Sequence, residues 1–260
     1  MRPEQHIDVL RAEGRLMADT AAAADPDVAI PTCPGWSMRD LLQHTGGIHR
    51  WATGYVAGRR TEEWPVDLED IVGAWPPDDQ LVEWFDKGVE ALVAVLVAAP
   101  DDVDWYTFLS APTARAMWAR RQAHETTVHR VDAESPGGAA PSPIDAPFAA
   151  DGVDELLTGF MGRPRRGLDV DAVRTLQVVA DDTGDAWHVR IEADRMRTTS
   201  GRAPAETTLT GTASGLYLLL WNRNQDREVA VAGNDELLAW WRDRVRVRWG
   251  GAARRNAGER

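Results

Sequence analysis

The chain has 260 residues, enough for one large domain or two ordinary ones, each with a real core. Its 43% hydrophobic and 27% charged residues are the balance of a soluble globular protein. Basic side chains number 29 against 41 acidic ones, a formal charge of -12, so the overall field argues against nucleic acid or an anionic membrane as a partner. The single cysteine, Cys33, excludes an internal disulfide and a Cys-rich zinc site. No apolar run reaches membrane-spanning length, and the N-terminus reads as an amphipathic helix rather than a secretion signal, so a cytoplasmic protein is expected.

Residues 4–24 predict a first helix, with apolar Val9, Leu10, Leu16 and Met17. The turn "PTCPGW" follows. Ser37, with Asp40 three residues on, resembles a capping box and opens a second helix through about Val56. "WPVDLEDIVGAWPPDD" reads as a Pro-rich crossing, and "DQLVEWFDKGVEALVAVLVAA" as a third helix. Ser110, followed by Ala111 and Pro112, predicts the start of a fourth helix running to about Glu134. Four helices with one long connection suggest an antiparallel bundle.

"SPGGAAPSPIDAP", residues 135–147, has the composition of a linker. A short helix near 148–162 is expected next, and then two alternating runs around D-D-T-G-D that read as a β-hairpin. "AETTLTG" could add a strand, "ASGLYLLLWNR" a buried helix and "NDELLAWWRDRVRV" a last helix. The basic tail "RDRVRVRWGGAARRNAGER" reads as a solvated final segment. The fold class expected is therefore α+β, with a helical N-terminal domain over 1–146, including its linker at 135–146, and a smaller α/β domain over 147–260.

"RRQAHETTVHR" is the stretch richest in chemistry. H-E-x-x-x-H is one residue too long for the zinc-protease pattern: His124 and His129 diverge by roughly 140° on one helix. Glu125 and His129, four apart, project side by side. Ala114, Trp118, Arg121, Gln122, Val128 and Asp132 share their face, a mixture odd for plain core and odd for plain solvent. A third ligand should come from another helix. In "SMRDLLQHTGGIHRWATGY" the wheel groups His44 with Leu41, Gly47, Ile48, Trp51 and Tyr55, and turns His49 roughly 140° away. His44 is thus the inward histidine. Gly46 and Gly47, each costing about 1 kcal/mol inside a helix, make sense if something comes close to that face.

Two imidazoles and a carboxylate, His44, Glu125 and His129, would suit zinc with one position open to water or a thiol. The bland alternatives are a hydrogen-bonded core histidine and an ordinary i,i+4 surface pair. Cys33, near a helix N-terminus, could be a nucleophile, or a packed turn thiol.

"PTCPGWSMRDLLQHTGGIHRW", "ARRQAHETTVHRVDAE" and "LTGTASGLYLLLWNR", in this order, resemble the mycothiol-dependent maleylpyruvate isomerase family of the DinB-like superfamily. The resemblance spans nearly the whole chain. It implies a DinB-like four-helix bundle carrying a divalent metal, usually zinc, and a C-terminal α/β domain. The family's metal ligands fall on His44, Glu125 and His129, and its carboxylate-binding arginine falls on Arg223. Mycothiol is the implied thiol cosubstrate, activated as a thiolate that attacks an electrophilic small molecule. Isomerisation of maleylpyruvate and thiol S-transfer are both open on this basis. A non-catalytic small-molecule or metal-binding protein and a metal-dependent hydrolase are the alternatives.

Overall fold

The computed structural model describes residues 1–163, 168, 170–223 and 229–245. It divides into two units, the first spanning Met1–Ser142 and the second beginning at Pro143. Most of the basic tail, residues 246–260, lies outside the described residues.

The first unit is helical: α1 (Pro3–Ala22), α2 (Met38–Ala57), the short α3 (Leu68–Val72), α4 (Asp78–Ala98) and α5 (Ala114–Glu134). α1 packs against α5 and α4, and α2 against α4 and α5, so the four long helices share one core. Leu10 and Met17 of α1, Leu41 and Ala52 of α2, Phe85 and Leu92 of α4, and Trp118 of α5 are closed to solvent in it, whereas Leu16 is exposed. α2 begins at the expected box: Ser37 Oγ accepts from the Asp40 N–H at 3.3 Å, and Asp40 Oδ2 accepts from the Ser37 N–H at 2.8 Å. Both N-terminal donors are satisfied reciprocally, which fixes the helix start.

Two features depart from expectation. α5 begins at Ala114 rather than at Ser110, because Thr113 Oγ1 is the oxygen that accepts from the Ala116 N–H, at 3.1 Å. The Pro-rich crossing contains α3, whose five residues, none of them buried, give too short a periodic pattern to read.

In the second unit α6 (Ala146–Asp154) runs on into a wider helical turn over Glu155–Phe160. A five-stranded sheet follows, from β1 (Arg174–Ala180), β2 (Ala186–Ile191), β3 (Met196–Ser200), β4 (Thr207–Gly211) and β5 (Val229–Gly233), in the order β3-β2-β1-β4-β5. β1 and β2 form the hairpin at D-D-T-G-D, where Gly184 supplies a φ of 80°. β1 pairs with β4 in parallel, and the other pairings are antiparallel. α7 (Ala213–Leu220) is capped by Thr212, whose hydroxyl accepts from the Gly215 N–H at 3.1 Å, and packs on α6, β1, β4 and β5. α8 (Glu236–Arg244) ends the described chain, with Trp241 buried.

The architecture is a helical bundle followed by a smaller mixed α/β domain. No described helix is long and apolar enough to cross a membrane.

Candidate metal centre

α5 is the helix on which the first unit is built. All its residues except Ala116, Arg120 and Glu134 are buried, including Arg121, Gln122, His124, Glu125, His129, Arg130 and Asp132. Eighteen buried residues of 21 mean that this helix has no solvent face. The polar side chains therefore need partners inside the protein, or a ligand, to offset the loss of water.

The structure brings His44, Glu125 and His129 together, one potential ligand atom from each lying within 4.8 Å of the others. His129 Nε2 stands 3.3 Å from Glu125 Oε1, and His44 Nε2 stands 3.6 Å from the same oxygen. The two imidazole planes are inclined at 81° with ring centroids 5.1 Å apart. Ligand atoms held 2.0–2.1 Å from a tetrahedral zinc ion are roughly 3.3 Å from one another, close to the separations seen here. His44 Nε2 and Glu125 Oε1 are buried and make no hydrogen bond. Two orphaned buried atoms at the point of convergence, with a nitrogen and oxygen donor set, fit a divalent ion such as zinc.

The electrostatics point the same way. Burial would raise the Glu125 carboxyl, but the close approach of the His129 and His44 imidazoles and the charges of His129 and Arg121 hold it well below the usual range. Arg121 Nη2 is 3.3 Å from Glu125 Oε2, the oxygen that does not face the histidines. Burial lowers His44, with the neighbouring His129 charge adding to the effect, so His44 presents a neutral imidazole. Burial also opposes charge on His129, but Asp132, Cys33 and Glu125 outweigh it and push that imidazole well above its ordinary value.

A second cluster adjoins the first. His129 Nδ1 lies 2.9 Å from Asp132 Oδ2, and the Cys33 thiol donates to that same oxygen at 3.3 Å. Cys33, His129 and Asp132 also lie within ligand distance of one another. These groups, however, are joined by hydrogen bonds among themselves, so the unsatisfied atoms single out the His44 set. Cys33 sits on a turn closed by the Cys33 N–H to Ile30 O and the Trp36 N–H to Cys33 O, both at 3.0 Å. Trp36 of that turn lies against both imidazoles, its ring centroid 4.8 Å from that of His44 and 6.2 Å from that of His129. Trp36 was not singled out by periodicity, and its place in the P-G-W turn before the Ser37 cap was the available signal.

His49 is not directed to solvent. It is fully buried, its Nε2 is 2.9 Å from Thr126 Oγ1 of α5, and its ring packs at 5.4 Å from Phe85 of α4. The wheel separates it from His44 correctly in angle, but α2 is covered on two sides, so both histidines are inward. His124 is outside the trio and lies 6.0 Å from the ring of His6 on α1. The group that approaches Gly46 is an indole of α4: a Cβ there would overlap the Trp84 ring, and one on Gly47 would meet Leu68 Cδ1 at 3.0 Å.

Arg223 belongs to the second unit and lies just beyond α7, after Trp221 and Asn222. Its N–H donates to Leu218 O at 2.8 Å, and its Nη1 donates to Trp221 O at 2.7 Å. The residues just beyond, 224–228, lie outside the described residues.

The sequence profile described as "Mycothiol maleylpyruvate isomerase N-terminal domain" matches residues 9–134. The companion "MDMPI C-terminal domain" matches residues 147–239. Among solved structures, mycothiol-dependent maleylpyruvate isomerase superposes with a TM-score of 0.61 at 14% identity, over 89% of this chain and 93% of that one. A histidine-to-alanine mutant of mycothiol-dependent maleylpyruvate isomerase gives 0.60 at 15% identity over the same shares. At such identity the likeness concerns the fold. No curated protein matches the sequence significantly.

Proposed function

The chain belongs to the mycothiol maleylpyruvate isomerase family, and from that premise we propose that it is a metal-dependent enzyme using a low-molecular-weight thiol, mycothiol, to attack an electrophilic small molecule. The reaction is either a cis-trans isomerisation like that of maleylpyruvate or a thiol S-transfer. The observation that carries this reading is the convergence of His44 Nε2, Glu125 Oε1 and His129 Nε2, two of them buried without a hydrogen bond.

His44, Glu125 and His129 would hold the ion, zinc by donor type. When bound, zinc supplies the Lewis acidity that lets a thiol lose its proton near neutral pH. With only His44, Glu125 and His129 as protein ligands, the ion would remain open to a thiol cosubstrate. The protein's own contribution is geometric and electrostatic. Arg121 braces the outer oxygen of Glu125, Trp36 covers the two imidazoles, and burial keeps His44 neutral and able to donate its lone pair. Arg223 is assigned by family resemblance to the carboxylate of an anionic electrophile.

The test is metal content, turnover and product mass together. The proposal expects about one zinc per chain, loss of the metal in His44→Ala, and mass-detectable thiol adducts or thiol-dependent isomerisation when mycothiol and a panel of electrophiles including maleylpyruvate are added. Protein that carries no zinc and takes none up, or hydrolysis that proceeds without any thiol, would overturn it.

A further inference from the structure

We infer that Asp132 is a positioning residue that fixes which nitrogen of His129 faces Glu125 and His44, and that the Cys33 thiol holds Asp132 in place as a hydrogen-bond donor. The inference rests on the metal reading above and assigns two side chains that it leaves without a role.

An ionised carboxylate can only accept, so the 2.9 Å contact requires the proton of His129 to sit on Nδ1. Nε2 is then the nitrogen left for a ligand bond, and it is the one 3.3 Å from Glu125 Oε1. Both residues lie on α5 three positions apart, so helix geometry delivers the orienting group to the ring it orients. Asp132 is closed to solvent, which removes water as a competing partner and strengthens the contact.

The second donor comes from 99 residues earlier in the chain. Cys33 Sγ lies 3.3 Å from the same Oδ2 that receives His129 Nδ1. Its turn is pinned by the Ile30 and Trp36 backbone bonds, including Ile30 N–H to Trp36 O at 2.9 Å, and by a β-bridge between Ala29 and Ser37. One rigid turn therefore contributes a thiol to the carboxylate behind His129 and an indole stacked at 24° on its ring. Loop, carboxylate and imidazole form a single chain of contacts ending at Nε2. In this arrangement Cys33 serves as a protonated donor, rather than as a nucleophile or a metal ligand.

The experiment measures zinc affinity of the full-length chain by competition with a chromophoric chelator, alongside the visible spectrum of the cobalt-substituted protein. Loss of an outer hydrogen-bond partner to a metal-bound histidine typically weakens affinity about 10–100-fold. Asp132→Ala is expected to weaken zinc within that range and to alter the cobalt bands, which a merely structural role would not do. Asp132→Asn keeps an accepting oxygen and should fall between Ala and wild type, and it serves if Asp132→Ala fails to fold. Cys33→Ser retains a donor and should bind nearly as wild type, whereas Cys33→Ala should lose a few-fold.

Asp132 variants with wild-type affinity and unchanged cobalt spectra, while His44→Ala loses the metal, would overturn the inference and leave the metal reading intact. Equal affinity in Cys33→Ala and Cys33→Ser would overturn the part assigned to the thiol. A wild-type chain that takes up no zinc would overturn both.

Discussion

The imidazoles of His44 on α2 and His129 on α5 meet nearly at right angles and turn their Nε2 atoms toward one oxygen, Glu125 Oε1. The two rings differ in charge although both are buried. His44 is held below its ordinary value by burial, whereas His129, gripped between Asp132 and Glu125, is held well above. At pH 7 the metal-free site therefore carries one proton that an incoming ion must displace, the one on His129 Nε2. Glu125, held well below its usual range, contributes none. Zinc binding at pH 7 should release about one proton per site. Calorimetry in buffers of different ionisation enthalpy measures that number, and a value near zero or near two would contradict the assigned protonation states.

His49 makes the opposite kind of prediction, one about acid stability. Its pKa is pushed down to about 3, chiefly by burial, with the charges of Arg50 and His129 acting in the same direction and Glu125 against them. Above pH 6.5 the ring is neutral in folded and unfolded chains alike. Below it the unfolded chain takes up a proton that the folded chain refuses, so stability falls as pH drops from 6.5 toward 3. His49→Gln, which can still reach Thr126 and does not titrate, should remove this component. The difference between wild-type and variant unfolding free energies should change by roughly 3 kcal/mol between pH 7 and 4, taking 1.36 kcal/mol per unit. Urea denaturation of the metal-free proteins at several pH values measures it, and parallel curves would refute the burial argument.

His49 also shows where a sequence stops being informative. A helical wheel assumes one buried face, and under that assumption it brings His44, Glu125 and His129 together from angle and spacing alone. The same assumption sends His49 outward, yet α2 lies against both α4 and α5. On α5 the assumption has least hold, since nearly every residue is buried and periodicity disappears. The cap at Ser37 and the D-D-T-G-D hairpin were legible because their signals are local. β3 and β5 were not: Met196 and Val229 are the only buried residues of these edge strands, so neither shows a half-buried alternation. The Cys33–Asp132 contact joins residues 99 apart and depends on how α5 meets a turn, which spacing does not encode.

The glycines of α2 carry a packing prediction. Gly46 faces Trp84, whose ring also stacks under the Arg50 guanidinium at 3.6 Å. Arg50 in turn donates to Gly46 O at 2.9 Å and to Trp84 O at 2.7 Å, so the indole has little freedom to retreat. Gly46→Ala should improve intrinsic helix propensity by about 1 kcal/mol but incur an overpacking cost of about 1–3 kcal/mol. A net loss of stability is expected, seen as a lower melting temperature. An unchanged or higher value would mean that Trp84 moves aside freely.

Arg130, next to His129 in sequence, belongs to the frame rather than to the site. It is closed to solvent, and its Nε donates to Glu13 Oε2 of α1 at 2.7 Å while Nη1 donates to Glu134 Oε2 at 2.8 Å and to Ser142 O at 2.9 Å. Glu13 is itself buried, and its carboxyl is already raised by burial against the pull of Arg130. Arg130→Met removes the cation and leaves a buried carboxylate without its charge partner, a change that typically costs about 3–5 kcal/mol. Replacing the more deeply buried partner as well, as Arg130→Met with Glu13→Leu, removes that stranded charge and should recover much of the loss, since Glu134 keeps the Ser142 N–H and hydroxyl as donors. Zinc affinity of the folded variants should remain within a few-fold of wild type, because Arg130 donates to Glu13, Glu134 and Ser142 rather than to Glu125 or the histidines of α2 and α5 that converge on it. Denaturant unfolding of the single and double variants, with zinc competition on each, decides the matter. A double variant no more stable than Arg130→Met would show that the ion pair supplies net stability of its own, and a large loss of zinc affinity would place Arg130 in the site after all.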